Sequence, residues 1–164
     1  MSEKKQPSGF PTLRIVKLAF VAALYVALTY ALGFMAYGNI QFRVAEALML
    51  LCFYKKDYGI ALTVGCFIAN MFSPMALDMV FGTAATLIAV LLIYISPNVF
   101  VASLAPVLTN AVIVGAELTY CFETPFWLNA VEVAFGEFVC VSVVGVIIFK
   151  LVEKNSAVMK LITE

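Results

Sequence analysis

The sequence predicts an all-α membrane protein of six transmembrane helices. Three observations carry that expectation. The chain of 164 residues is 64% hydrophobic with a mean hydropathy of +1.05. Only 12% of it is charged. All but one of its ten basic residues fall on one side of the membrane when six helices are threaded through it. A soluble domain runs at about half apolar and about a quarter charged, so these charges are too few to cover a water-facing surface. That excludes a cytosolic globular enzyme, a disordered chain and a nucleic-acid-binding module, and a net charge of +0 supplies no field for polyanions. Histidine, the commonest general base and metal ligand, does not occur. Cys52, Cys66, Cys121 and Cys140 lie far apart in apolar runs with no C-x-x-C pair, so neither a metal site nor a cofactor is expected.

An apolar run of about 20 residues crosses a hydrocarbon layer of about 30 Å as a helix. Read in this way, the helices lie near residues 13–36, 43–54, 58–72, 74–95, 97–121 and 125–152. Residues 1–12 form a polar cytoplasmic leader, 13–152 the membrane domain and 153–164 a cytoplasmic tail. The first apolar stretch is too long for the core of a cleaved signal, and five more follow it. Ser73-Pro74, Ser96-Pro97 and Thr124-Pro125 predict three helix starts, with a hydroxyl at the cap and a proline at the first helical position. Pro106 falls inside the fifth helix and predicts a kink. With both termini in the cytoplasm of a multi-pass cell-membrane protein, Lys4, Lys5, Arg14, Lys17, Lys55, Lys56, Lys150, Lys154 and Lys160 all lie inside. Arg43 alone does not, and that asymmetry sets the orientation.

The acids tell the opposite story. Glu46, Asp78, Glu117, Glu123, Glu132 and Glu137 fall in the outer halves of helices or near their outer ends. Burying one such charge near a helix centre costs about 2.5–3.5 kcal/mol on insertion scales, so each needs a partner, water or a ligand. Glu123 reads as a solvated loop residue, and Glu132 as facing an outer vestibule. The second helix, pinned by Lys55 and Lys56, rises only about 18 Å and stops short of the outer surface. It therefore predicts an outward-facing cavity, into which the Gly38-Asn39 loop can dip. Arg43 and Glu46 share a face at i,i+3 and read either as an ion pair or as ligand contacts. Pro106, Asn110 and Glu117 share a face of the fifth helix. Gly136-Glu137 sets a carboxylate beside a residue that lets a ligand or helix come close. Asn70 and Asp78 lie near the same outer rim. Asn70 and Asn110 read equally well as interhelical hydrogen-bonding residues, and Asp78 as a favourable charge at a helix N-terminus.

Carboxylates, amides and one guanidinium beside Tyr37, Phe42, Tyr120 and Trp127 suit a flat, donor-rich molecule, neutral or cationic. A guanine-like heterocycle is one such molecule, since its ring N–H and exocyclic amine suit a carboxylate; the aromatics alone also fit a membrane belt. No phosphate-binding G-x-x-x-x-G-K-[ST] loop occurs, so energy for transport comes from an ion gradient or a partner. Ala19, Ala23, Ala27 and Ala31 form a small-residue stripe that fits either a docking partner or packing within the bundle. A self-sufficient secondary carrier, and a non-transporting scaffold with structural acid pairs, remain the alternatives.

The stretch GNIQFRVAEAL resembles the signature G-x-I-Q-F-R-[VI]-S-E-A-L of the QueT family of queuosine-precursor transporters. These are substrate-binding (S) components of energy-coupling-factor (ECF) transporters. IANMFSPMALDMVFG, NAVIVGAEL and AFGE are similar to the later blocks of that family, in order from Gly38 to Glu137. Ala45 stands in place of the usual serine, and Ala134 in place of the first glycine of G-x-G-E. The resemblance implies an S-component-like bundle that captures queuosine or a 7-deazaguanine precursor outside. Its implied partners are an EcfT-type coupling protein and two ABC ATPases, in a lipid membrane and without nucleic acid. Motif matching implies substrate contacts at Gln41, Arg43, Glu46, Asn70, Asp78, Asn110, Glu117 and Glu137, to which the aromatic reading adds Trp127. It also implies docking of the coupling protein along Ala19, Ala23 and Ala27.

Overall fold

The structure, a computed structural model, describes residues 11–36 and 41–163. Most of the polar leader, Tyr37, the Gly38-Asn39 loop and Glu164 lie outside the described residues. Every regular element within them is helical. In chain order these are α1 (Pro11–Ala31), α2 (Gly33–Ala36), a 3₁₀ segment (Val44–Leu50) continuing into α3 (Leu51–Tyr54), α4 (Tyr58–Asn70), α5 (Asp78–Ile93), α6 (Val99–Phe122), α7 (Phe126–Glu137), a π segment (Phe138–Gly145), α8 (Val146–Glu153) and α9 (Ser156–Thr163). Three helices are long and apolar enough to cross a membrane: Thr12–Ala31, Val99–Phe122 and the continuous rod Phe126–Glu153. Three shorter apolar helices cover Val44–Tyr54, Tyr58–Asn70 and Asp78–Ile93.

Neighbours pack in the order α1, α4, α5, α6 and α7, and the 3₁₀–α3 rod fits among α1, α4, α6 and the π segment. The rod has no exposed residue, and Ala45, Glu46, Met49, Leu50, Leu51 and Cys52 are all buried. A 3₁₀ run of this length is uncommon. Its rise of about 2.0 Å per residue brings the 11-residue rod to about 20 Å, still well short of a bilayer core. Burial of apolar side chains makes two cores. The larger joins α1, the rod, α4, the end of α5, the start of α6 and the π segment. The smaller is Ala85, Val114, Leu118 and Val133. A polar layer separates them: Asn110 lies between Ala105 and Val114 on α6, and Glu137 between Val133 of α7 and Cys140 of the π segment.

The lysine-rich segments gather at one end. Arg14 pairs with Asp57 at 2.7 Å and Lys150 with Glu153 at 2.8 Å. The Tyr54 hydroxyl donates to Glu153, and the Tyr94 hydroxyl to the Lys56 carbonyl. The stretch read as a tail carries α9, which closes onto this end. The Lys17 ammonium donates to the Leu161 carbonyl at 2.9 Å and the Tyr58 hydroxyl to the Ile162 carbonyl at 3.0 Å, serving carbonyls that a helix C-terminus leaves unpaired.

The three proline-marked starts differ from expectation. Helix α5 begins at Asp78, not Pro74. The Ser73 hydroxyl accepts from the Met75 amide and bonds Asp78, making a local turn that competes with helix. The capping side chain of α6 is Asn98, which accepts from the Val101 amide. Helix α7 begins at Phe126 without a side-chain cap, because Thr124 bonds Asn129 instead.

Gly136 fixes the crossing of the chain over α7. A Cβ there would stand 2.1 Å from the Gln41 carbonyl oxygen, and the obstacle is backbone that cannot swing aside. Gly136→Ala is expected to destabilise the bundle by about 1–3 kcal/mol, the usual cost of overpacking. Thermal unfolding in detergent checks this, and an unchanged midpoint would show that the crossing is loose.

Candidate functional site

The polar layer between the two cores is built from four elements. The 3₁₀ segment brings Glu46, with Arg43 immediately before it; α4 ends on Asn70; α6 supplies Asn110; and α7 ends on Glu137. Glu46, Asn110 and Glu137 are each 0% exposed, and Gln41, Arg43 and Asn70 are buried. Arg43 acts electrostatically on both Glu46 and Glu137, and the two carboxylates act on each other, so the three charges belong to one cluster.

Arg43 and Glu46 are not spent on a bond to each other. Arg43 Nη2 reaches Asn70 Oδ1 at 3.4 Å, while Nη1 has no partner. Glu46 Oε1 accepts from the Tyr25 hydroxyl at 2.6 Å, and Oε2 has no partner. Glu137 Oε1 accepts from Asn110 Nδ2 at 2.6 Å, leaving Glu137 Oε2 and Asn110 Oδ1 unpaired. Asn70 ties α4 to α5 by donating to the Asp78 carbonyl at 2.9 Å. Gly82 gives it room, since a Cβ there would lie 2.7 Å from Asn70 Nδ2. Buried polar groups are nearly always satisfied, so several orphaned atoms in one layer mark a place built for something other than packing.

Toward the far end of α6, Glu117 is buried and both of its oxygens lack a partner. Buried Asp78 at the start of α5 is its main electrostatic neighbour, and Arg43 acts on Glu117 as well. The structure thus brings Gln41, Arg43, Glu46, Asn70, Asp78, Asn110, Glu117 and Glu137 into one connected region. It leaves Trp127 out. That ring is 77% exposed against Phe126, ten residues and about 15 Å along the helix from Glu137. The Gln41 backbone, just before the second helix, is seated on Gly136. A cavity of about 470 Å³ opens beside Leu77, Phe81, Ala116, Glu117 and Tyr120.

Tyr25 is the residue that sequence reasoning missed. It is a buried tyrosine in the middle of an apolar helix, and such a hydroxyl has to find a partner. The small-residue stripe resolves in favour of a free face: Ala19, Ala23, Ala27 and Ala31 are all exposed. The close contact between α1 and α4 uses Ala22 and Tyr25 against Gly65 instead.

A family model, the QueT transporter, matches residues 15–154. The chain belongs to the QueT transporter family. It is 35% identical over 168 aligned positions to the queuosine precursor transporter QueT of Lactococcus lactis subsp. cremoris (strain MG1363), covering 85% of this chain and 92% of that one. No solved structure matches it significantly. As a QueT-family member the chain is a transporter and not an enzyme, and its apolar helices make it a multi-pass membrane protein.

Tyr25→Phe removes the donor to Glu46 Oε1 and leaves that buried oxygen bare. The expected cost is about 1–3 kcal/mol of stability in the unliganded bundle, read by chemical or thermal unfolding in detergent. An unchanged stability would mean that the hydroxyl carries no weight.

Proposed function

We propose that this chain is the substrate-binding subunit of an ATP-driven importer of the ECF type, with queuosine or a 7-deazaguanine precursor as its ligand. The observation that carries the reading is the set of orphaned atoms on Arg43, Glu46, Asn110 and Glu137, contributed by separate elements to one buried layer. A guanine-like edge offers two adjacent N–H donors and a carbonyl acceptor. Carboxylate oxygens and the Asn110 carbonyl accept from the former, and Arg43 Nη1 donates to the latter. The name of the Lactococcus relative agrees with this chemistry.

In this reading six helices span the cell membrane, the lysine-rich end faces the cytoplasm by the positive-inside rule, and both termini lie on that side. The exposed stripe of Ala19, Ala23 and Ala27 docks an EcfT-type coupling protein, because small side chains let two helix backbones approach closely. Two ABC ATPases drive that partner, and the occupied bundle tilts as a body to deliver its ligand.

Glu137→Gln is expected to weaken deazaguanine binding to the purified chain at least tenfold, read by calorimetry without ATP; unchanged affinity would remove Glu137 from the site. Ala23→Leu is expected to leave that binding intact and to cut uptake by at least tenfold in vesicles holding the coupling protein and ATPases. Normal uptake by this variant would exclude the stripe as a docking face. Accumulation of ligand by the chain alone, driven by an ion gradient, would overturn the ATP-driven reading.

A further inference from the structure

We propose that Cys66 and Thr86 are positioning residues of the substrate site: together they fix which way round the Asn70 amide sits, and that amide aims Arg43 at the ligand. This rests on the reading of the buried layer as a deazaguanine site. Cys66 on α4 and Thr86 on α5 are each 0% exposed. The Thr86 hydroxyl donates to Cys66 Sγ at 3.1 Å, and Asn70 Nδ2 donates to the same sulfur at 3.4 Å. The Cys66 thiol in turn donates to the Gly82 carbonyl at 3.8 Å.

Thr86 departs from the habit of Thr63, Thr109, Thr119 and Thr163, each of which donates to the carbonyl four residues back in its own helix, a common outlet for a hydroxyl there. For Thr86 that carbonyl belongs to Gly82, and the Cys66 thiol is bonded to it. The Thr86 hydroxyl turns to the sulfur instead. With its own proton placed on Gly82, the sulfur presents lone pairs to Thr86 and to Asn70.

An asparagine amide carries donors on one side and an acceptor on the other, so its sense matters. Asn70 Nδ2 has two acceptors before it, Cys66 Sγ and the Asp78 carbonyl. That leaves Oδ1 to face Arg43 Nη2. A guanidinium has only donors, so the opposite sense would set donor against donor. Holding Nη2 anchors a rigid planar fork and with it the direction of Nη1, the nitrogen that has no hydrogen-bond partner. Gly82 keeps this corner tight: a Cβ there would stand 2.7 Å from Asn70 Nδ2 and 3.5 Å from Arg43 Nη2. Cys66 and Thr86 thus act through Asn70 and Arg43. They govern how firmly Nη1 is presented to the ring carbonyl, and so how well the site tells that oxygen from a poorer acceptor.

The test measures selectivity on the full chain purified in detergent, by isothermal titration calorimetry. One ligand is 7-aminomethyl-7-deazaguanine. The other is its 6-thio counterpart, which keeps every N–H donor and exchanges the carbonyl oxygen for sulfur, a weaker acceptor. The native chain is expected to favour the oxygen compound by about fivefold or more. Thr86→Val, close in shape but without the hydroxyl, is expected to cut that preference below about twofold, and Thr86→Ser to keep it. Cys66→Ala against Cys66→Ser repeats the comparison at the sulfur, should a Thr86 variant not fold. A full preference in Thr86→Val and Cys66→Ala overturns the positioning role. An equal loss of both ligands in these variants, with the preference unchanged, makes the contact one of α4–α5 packing and overturns it too. Equal affinity of the native chain for the two compounds removes Arg43 from the carbonyl; it overturns this inference and leaves the heterocycle site standing. Binding of neither compound to the native chain overturns the heterocycle reading and this inference with it.

Discussion

Charge inside a hydrocarbon layer has to be neutralised by something close at hand, and the architecture follows from that constraint. Arg43 is the positive charge in the buried layer, and Glu46, Glu137 and Glu117 lie within its influence. Removing one partner from such a cluster costs far more than the pair adds, because it leaves a lone charge without water. The cluster is therefore a fixed point around which the rest of the chain is arranged. Asn70 holds the guanidinium, Tyr25 holds Glu46, and Asn110 holds Glu137. Each of these contacts joins two elements far apart in sequence, so the polar layer also staples the helices where the apolar cores are interrupted.

The irregular helices serve the same layer. Glu46 stands in a 3₁₀ segment and Glu137 at the junction of α7 with a π segment, and these two segments pack against each other. A π turn is wider than an α turn and a 3₁₀ turn narrower, and departures of this kind concentrate at functional sites. Gly145 in the π segment meets Leu50 and Ala47 of the 3₁₀ segment at 3.2 and 3.3 Å from its notional Cβ, so even a methyl group there would crowd the contact. Both deviations set a carboxylate into the layer while keeping the backbone bonds internal, as a membrane requires.

Much of this was legible in the sequence, for reasons that differ from residue to residue. Acids stranded in apolar helices stand out because they are expensive, and Glu46, Glu117 and Glu137 are all buried. The face shared by Asn110 and Glu117 followed from helical spacing, and both are buried on α6. The segments 13–36 and 58–72 came within a few residues of their helices because hydropathy is a strong signal. Helix α5 was drawn four residues too early, because Ser73 bonds its own neighbours and Asp78 where it was expected to cap a helix. Trp127 is exposed at the start of α7, where an aromatic at a membrane edge looks the same whether it meets ligand or lipid. Tyr25 and the handover from 3₁₀ to α carry no local pattern; tertiary packing decides them. The cytoplasmic tail hid α9, whose eight residues are too few to stand as a helix without the Lys17 and Tyr58 contacts.

The three short helices have a mechanical consequence. Helices α4 and α5, of 13 and 16 residues, rise about 20 and 24 Å, and both show large apolar side chains outward, among them Ile60, Phe67, Leu87 and Leu91. The rod from Phe126 to Glu153, at 28 residues, is about twice as long. On the six-span reading proposed above, a hydrocarbon core of about 30 Å cannot match both flanks, so lipid tails are compressed beside α4 and α5 and relaxed beside α7 and α8. The bilayer thus leans on the molecule unevenly, and elastic energy held in the surrounding lipid becomes a restoring torque against which any rotation of the bundle is measured.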